Sequence, residues 1–227
     1  MPTFSIPMWL ICGIKVASIA GLVAHAGFAL GQDVTNCGSL ENHYGPFDYR
    51  TANPQQKNLV ENAHFTLGVE SLTQTKSSYF ADDIGYTLRV FPNHHRALIS
   101  IQKLAEREKT DKPRYAQWSV PCYFDRALRF QPSDRIVRML FASYLVKNVR
   151  LDEATQQLDT VIRLAVDDPF TNFNVGLIFL DMKNYDRALI QAHRSSELGF
   201  MRAEIKDGLL AVGRWVEPTP ATDDKKP

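Results

Sequence analysis

The sequence predicts an all-α fold, an α-solenoid of about three helix hairpins. The first hairpin is irregular, an extended segment precedes the array, and a capping helix closes its C-terminal end. Three observations predict this. The stretch from Arg135 to Gly199 is one pattern written twice, 34 residues apart: Ala142 recurs as Gly176, Leu145 as Phe179, Asp152 as Asp186 and Ala154 as Ala188 (176−142, 179−145, 186−152, 188−154). A period near 34 is the length of a helix–turn–helix unit that cannot bury its apolar face alone and must stack on its neighbours. Upstream, Ala127 precedes Val161 by the same interval (161−127 = 34). Finally, Leu98, Ile101 and Ala105 recur at the i, i+3, i+7 spacing of one helix face.

Residues 1–31 read as a secretory leader. Met8 to Ile14 and Val16 to Ala24 are apolar around a single basic residue, Lys15, and Ala24-His25-Ala26 and Ala29-Leu30-Gly31 offer small-x-small cleavage sites. The alternative is an uncleaved anchor facing the periplasm. Val16 to Leu30 is too short to span alone, and including Met8 to Ile14 would bury Lys15 in the bilayer. The expected location is the periplasm, with no membrane span once the leader is removed.

Residues 32–79 are expected to form an extended aromatic segment. Tyr44-Gly45-Pro46-Phe47-Asp48-Tyr49-Arg50 interleaves rings with turn formers, and Val60-Glu61-Asn62-Ala63-His64-Phe65 follows. Such composition suits a turning strand pressed on a surface. It either covers helix surface in its own molecule or offers Tyr44, Phe47 and Tyr49 to a partner. The helical array is then expected over 80–215. Phe80 to Phe91 is a lone first helix, ended by the break Phe91-Pro92-Asn93. Asn93 to Arg107 and Cys122 to Phe130 make the irregular hairpin around the polar insert Glu108 to Gln117, in which Pro113 stops helix continuation. His94-His95 start a helix, and Asp82, Asp167 or Asp168 suit N-terminal capping and dipole roles. After the two regular units, Met201 to Trp215 is amphipathic through Ile205, Leu209, Leu210 and Val212 and caps the array. Residues 216–227 are a polar, proline-bearing tail without periodicity.

Asn184-Tyr185-Asp186-Arg187-Ala188-Leu189, with Gly176 and Phe179 on the helix before it, resembles the tetratricopeptide repeat family. The chain is similar to exported bacterial proteins that carry such repeats. The first copy departs from the family at Val161, where alanine is preferred, and at Leu151, where an aromatic stands. The resemblance implies that the first helix of each hairpin lines a concave, partner-binding groove. On that reading the inward positions are Arg96, Ile99, Lys103 and Arg107 in the first unit, Ile136, Met139, Ser143, Val146 and Lys147 in the second, and Phe170, Phe173, Asn174, Leu177 and Asp181 in the third. Of these, Arg96, Lys103, Met139, Ser143, Lys147, Phe173, Asn174 and Leu177 are the expected partner contacts. The surface is basic at one end and apolar with aromatics at the other, which suits an extended peptide or helix with apolar anchors. The groove is either open or filled by the N-terminal segment or capping helix of the same chain.

Formal charge is +1, and removing the leader with Lys15 leaves zero, so the basic face that nucleic-acid binding needs is missing. Cys37 and Cys122 remain after the leader is removed. They are expected to form a disulfide closing an 85-residue loop (122−37), worth about 4 kcal/mol in the chain-entropy model; two separate thiols are the alternative. His94-His95 point apart on a helix and lack the i, i+4 spacing of a zinc pair, so no metal is expected. No phosphate-cradling glycine loop, nucleophile elbow or kinase signature occurs. No catalytic residue, cofactor or small-molecule substrate is expected. The expected function is a noncatalytic protein-binding scaffold or assembly factor of the bacterial cell envelope. The alternatives are an accessory subunit of an envelope enzyme and a self-associating structural protein.

Overall fold

The structure, a computed structural model, describes residues 37–218, so the expected leader and most of the tail lie outside it. The described residues form ten α-helices and no strand: α1 Pro54–His64, α2 Leu67–Glu70, α3 Phe80–Val90, α4 His95–Glu108, α5 Val120–Phe130, α6 Arg135–Lys147, α7 Leu151–Leu164, α8 Pro169–Asp181, α9 Tyr185–Glu197 and α10 Glu204–Ala211. The fold is all-α.

Packing passes from neighbour to neighbour. The helices α4, α6, α8 and α10 pack in succession as one row, while α5, α7 and α9 each sit against the row helix before and the row helix after. At the N-terminal end α3 packs on α4 and is itself covered by α1 and α2. One apolar core runs the length of this array from Phe65 to Leu209.

The backbone repeats with the sequence. Three helices start behind the same turn, closed by His94 N–H to Phe91 O, Asp134 N–H to Gln131 O and Asp168 N–H to Ala165 O. The side chain of each turn's last residue then caps the helix: His94 accepts from Ala97 N, Asp134 from Ile136 N and Val137 N, and Asp168 from Phe170 N and Thr171 N. The same three helices end alike. Lys109, Val149 and Lys183 turn left-handed (φ 54°, 60° and 58°), and the next amides reach back to Ala105, Leu145 and Phe179. That six-to-one closure satisfies carbonyls the helix end would leave open. None of the three is glycine, so here the tertiary packing outweighs the usual residue preference.

Two expectations are corrected. The segment 32–79 is not extended throughout: 54–64 is helix, because Pro54 is preset for a first turn and Asn53 and Gln56 form a capping box. The final helix covers Glu204–Ala211, less than Met201 to Trp215, since Gly213 turns left-handed (φ 66°) and Arg214 N–H closes on Leu209 O. Arg214–Pro218 then folds back, with His193 Nε2 donating to Val216 O at 2.9 Å.

Gly176 sits where α8 meets both α9 and α10. A β-carbon there would stand 2.7 Å from Ile205 Cδ1 on α10 and 3.1 Å from Gln191 Cβ on α9. A small residue at this position is what lets α8 touch both. Gly176→Leu is therefore expected to destabilise the fold by about 2 kcal/mol through overpacking, read as a lower denaturant midpoint; a midpoint equal to wild type would contradict this packing.

Candidate functional site

The residues expected to line a groove all fall on the row helices α4, α6 and α8, but the structure treats them differently. On α4, Arg96 is already engaged: its Nη1 and Nη2 donate to Glu70 Oε2 (2.9 Å) and Glu61 Oε1 (3.2 Å). Arg107 likewise donates to Leu72 O at 3.0 Å. At the expected basic end the Arg96 charge is therefore paired by α1 and α2, while Arg107 keeps its charge and is held by the turn behind α2. Lys103 stays exposed. On α6, Lys147 Nζ donates to Glu106 Oε1 at 2.8 Å and ties α6 to α4, while Met139 and Ser143 are half-buried. On α8, Asn174 Nδ2 donates to Phe170 O one turn back (2.8 Å), and Leu177 is half-buried against the core.

Phe173 needs correction. It is only 8% exposed, with the Phe200 ring 5.2 Å away in an edge-on arrangement. The chain returning from α9 to α10 lays Phe200 over it, so Phe173 is a core residue. The ring that faces solvent is Phe170, 62% exposed. Ile136, one period earlier at the second residue of α6 (170−136 = 34), is 46% exposed.

The densest polar constellation was missed by the expectations above. It lies where the segment 44–65 meets the starts of α4 and α6. Glu61 Oε1 accepts from Tyr49 OH (2.7 Å), His94 Nε2 (3.1 Å) and Arg96 Nη2 (3.2 Å). Hydrogen bonding from His94, ahead of that from Tyr49, holds the Glu61 carboxyl at about 2 despite the opposing effect of burial. His94 is fully buried, tilted against the Tyr49 ring at 3.8 Å and edge-on to Phe65 at 4.7 Å. Burial lowers its pKa below the ordinary 6.5, more strongly than Glu61 raises it. The pair is therefore carboxylate with neutral imidazole: His94 Nδ1 accepts from Ala97 N–H (3.1 Å), which leaves the proton on Nε2 for Glu61.

A second branch centres on Asp134. Asn93 Nδ2 donates to Asp134 Oδ2 (3.0 Å) and to Asp48 Oδ1 (2.7 Å), and Tyr49 N–H donates to Asn93 Oδ1 (3.0 Å). His95 Nε2 stands 3.0 Å from Asp134 Oδ2. Burial would raise the Asp134 carboxyl, but hydrogen bonds from His95 and Asn93 outweigh it and keep the group below its ordinary value. Arg50 does the same for Asp48, holding it at about 2.

The polar groups named at this junction bond one another, mostly across 33 to 45 residues of chain, and so anchor the N-terminal segment to the starts of α4 and α6. The anchoring continues at α5. Cys37 and Cys122 are joined in a disulfide, and the buried Arg126 guanidinium donates to Cys37 O (2.9 Å) and Ser39 O (2.6 Å) while lying 3.7 Å over the Trp118 ring. Burial depresses its pKa to about 10. Among the described residues no group of three His, Cys, Asp or Glu could hold a metal ion, and no helix is long and apolar enough to cross a membrane.

Comparison with known protein families, curated proteins and solved structures finds no match.

The His94 pKa shift has a sign that can be tested. A histidine whose pKa is lower folded than unfolded contributes stability above about pH 6.5, and that contribution is lost as pH falls through the folded value. Thermal melts between pH 7.5 and 5 should show stability falling with acid. His94→Gln should start lower, by about 1–3 kcal/mol for the disrupted buried network, and lose less on acidification. An identical pH slope in both proteins would contradict a neutral buried His94.

Proposed function

We propose that this chain is a noncatalytic scaffold of the tetratricopeptide kind, an α-solenoid exported to the bacterial envelope that binds a protein segment along its row helices. The observation that carries the reading is the recurrence of exposed apolar side chains at one place in successive units, Ile136 on α6 and Phe170 on α8. Isolated exposed apolar residues are ordinary, but a periodic pair on adjoining helices is a surface feature that stacking does not require. Met201, 81% exposed beside Phe200, extends it toward α10. The Phe170 and Phe200 rings lie 4.3 Å apart, so the apolar strip is continuous at this end. At the other end Arg96 and Arg107 are used internally, which moves the proposed partner site from the whole row to α6, α8 and the start of α10. An amphipathic helix or extended peptide with two or three apolar anchors suits such a strip.

Ile136→Asp combined with Phe170→Asp should reduce capture of the native envelope partner by more than about tenfold, as expected when buried apolar anchors are lost. Helical content should stay at wild-type level, because both side chains already face water. Equal capture by the double variant, compared by quantitative cross-linking, would overturn the assignment of the strip.

A further inference from the structure

At the far end of the α3–α4 hairpin the chain builds something the helical array does not need. The turns α6–α7 and α8–α9 take three residues each, Asn148–Arg150 and Met182–Asn184, whereas α4 and α5 are joined by the eleven residues Lys109–Ser119. In repeat arrays an insertion of this kind sits on a surface loop of one face, often a binding face. This one presents Tyr115, 53% exposed, stacked 3.5 Å from the ring of Tyr79, itself 39% exposed. Tyr115 has φ +64°, a conformation that disfavours any residue with a β-carbon.

Both loops carrying the rings are fixed in place. Arg114 N–H donates to Glu108 Oε2 (2.7 Å), Val120 N–H to Asp111 O (2.7 Å) and Ala116 N–H to Pro113 O (2.9 Å). On the other side the buried Asp83 carboxylate gathers Thr75 OH (2.7 Å), Lys76 N–H (2.8 Å) and Ser77 N–H (2.9 Å). Two large rings are held in water by rigid loops, which is preorganisation for a ligand. Tyr79 lines a cleft of about 460 Å³ with Phe80, Ala81 and Leu104 as apolar surface and Ser78, Glu108 and Arg114 as polar groups. Among the described residues the Ser78 hydroxyl and the Arg114 guanidinium donate no hydrogen bond. The lining carries one acid and one base, so its fixed charges cancel.

We propose that this cleft is a saccharide site taking a neutral pyranose chain of gluco configuration. Such a ring has equatorial hydroxyls and an apolar face of C–H bonds, which packs on the electron-rich face of tyrosine. The ring lies on Tyr79, and its hydroxyls meet Ser78, Glu108 and Arg114. A charged sugar or a peptide terminus would leave one fixed charge of the cleft unmatched. The site is separate from the apolar strip on α6 and α8, so either can fail without the other.

The test is calorimetric titration of the full chain with cellotetraose, chitotetraose and deca-proline. At least one tetrasaccharide should bind, and Tyr79→Ala should weaken that binding by about tenfold or more, the loss of one stacking contact. Tyr79→Phe, which keeps the ring, should bind as wild type does. Tyr115→Gly keeps the left-handed backbone and removes the second ring, so it should melt near wild type yet bind more weakly. That variant decides the matter if Tyr79→Ala loses its fold. No binding of either tetrasaccharide at about 10 mM would overturn the site, as would binding that survives both ring deletions. Deca-proline binding in place of the sugars would overturn the ligand class.

Discussion

Coverage is the constraint on which the rest of this molecule depends: each hairpin has apolar surface on both sides, and only the next hairpin can cover it. The row α4, α6, α8, α10 is the consequence, and small residues set its closeness. Ala142 and Gly176 stand 34 residues apart on α6 and α8, and both are buried. Ala154 and Ala188, also one period apart and fully buried, do the same for α7 and α9. Larger side chains would force the helices apart and open the core that runs from Phe65 to Leu209. The recurring turns follow from the same demand. A hairpin can meet its predecessor in one register only if its entry turn and its left-handed exit have the same geometry each time.

An array built this way has ends, and this chain finishes them differently. At the N-terminal end a smaller cluster of Val60, Val90 and Phe91, overlaid by Tyr44, Phe47 and Tyr49, closes the exposed face of α3. The Glu61–His94 and Asp134–Asn93 networks fix that overlay in place, and the Cys37–Cys122 disulfide tethers its start to α5. Buried polar networks of this kind specify one arrangement more than they stabilise it, because a displaced overlay would leave several charged groups unpaired. At the C-terminal end α10 and the returning segment 214–218 suffice. The apolar strip proposed for partner binding is what this lighter closure leaves open.

The all-α class and most helix positions were legible in the sequence, because a 34-residue period survives substitutions that keep residue size. Helix α3 and the hairpin α4–α5 fall within a few residues of their expected bounds, since Pro92, Pro113 and the acidic or histidine caps punctuate them. Helix α1 was concealed by its surroundings: rings, glycine and proline at 44–49 suggested extended chain, although Asn53-Pro54 and Gln56 already spelled a helix start. The junction network was out of reach for another reason. Most of its partners stand 33 to 45 residues apart, as in Glu61 with His94 and Asp48 with Asn93, and nothing local marks them. That Phe173 is covered while Phe170 faces solvent has a similar origin. Helical spacing placed both toward one side, and only the return of Phe200 over α8 decides which is covered.

Ile205→Ala in the full chain, followed by native-state hydrogen exchange, tests neighbour-to-neighbour coverage most directly. Ile205 is buried on α10 against the Gly176 position of α8, and its truncation opens a gap at one interface only. The account predicts lost amide protection in α8, α9 and α10 with α3, α4 and α5 unchanged. An equal loss of protection from α3 to α10 would show one indivisible core and contradict it.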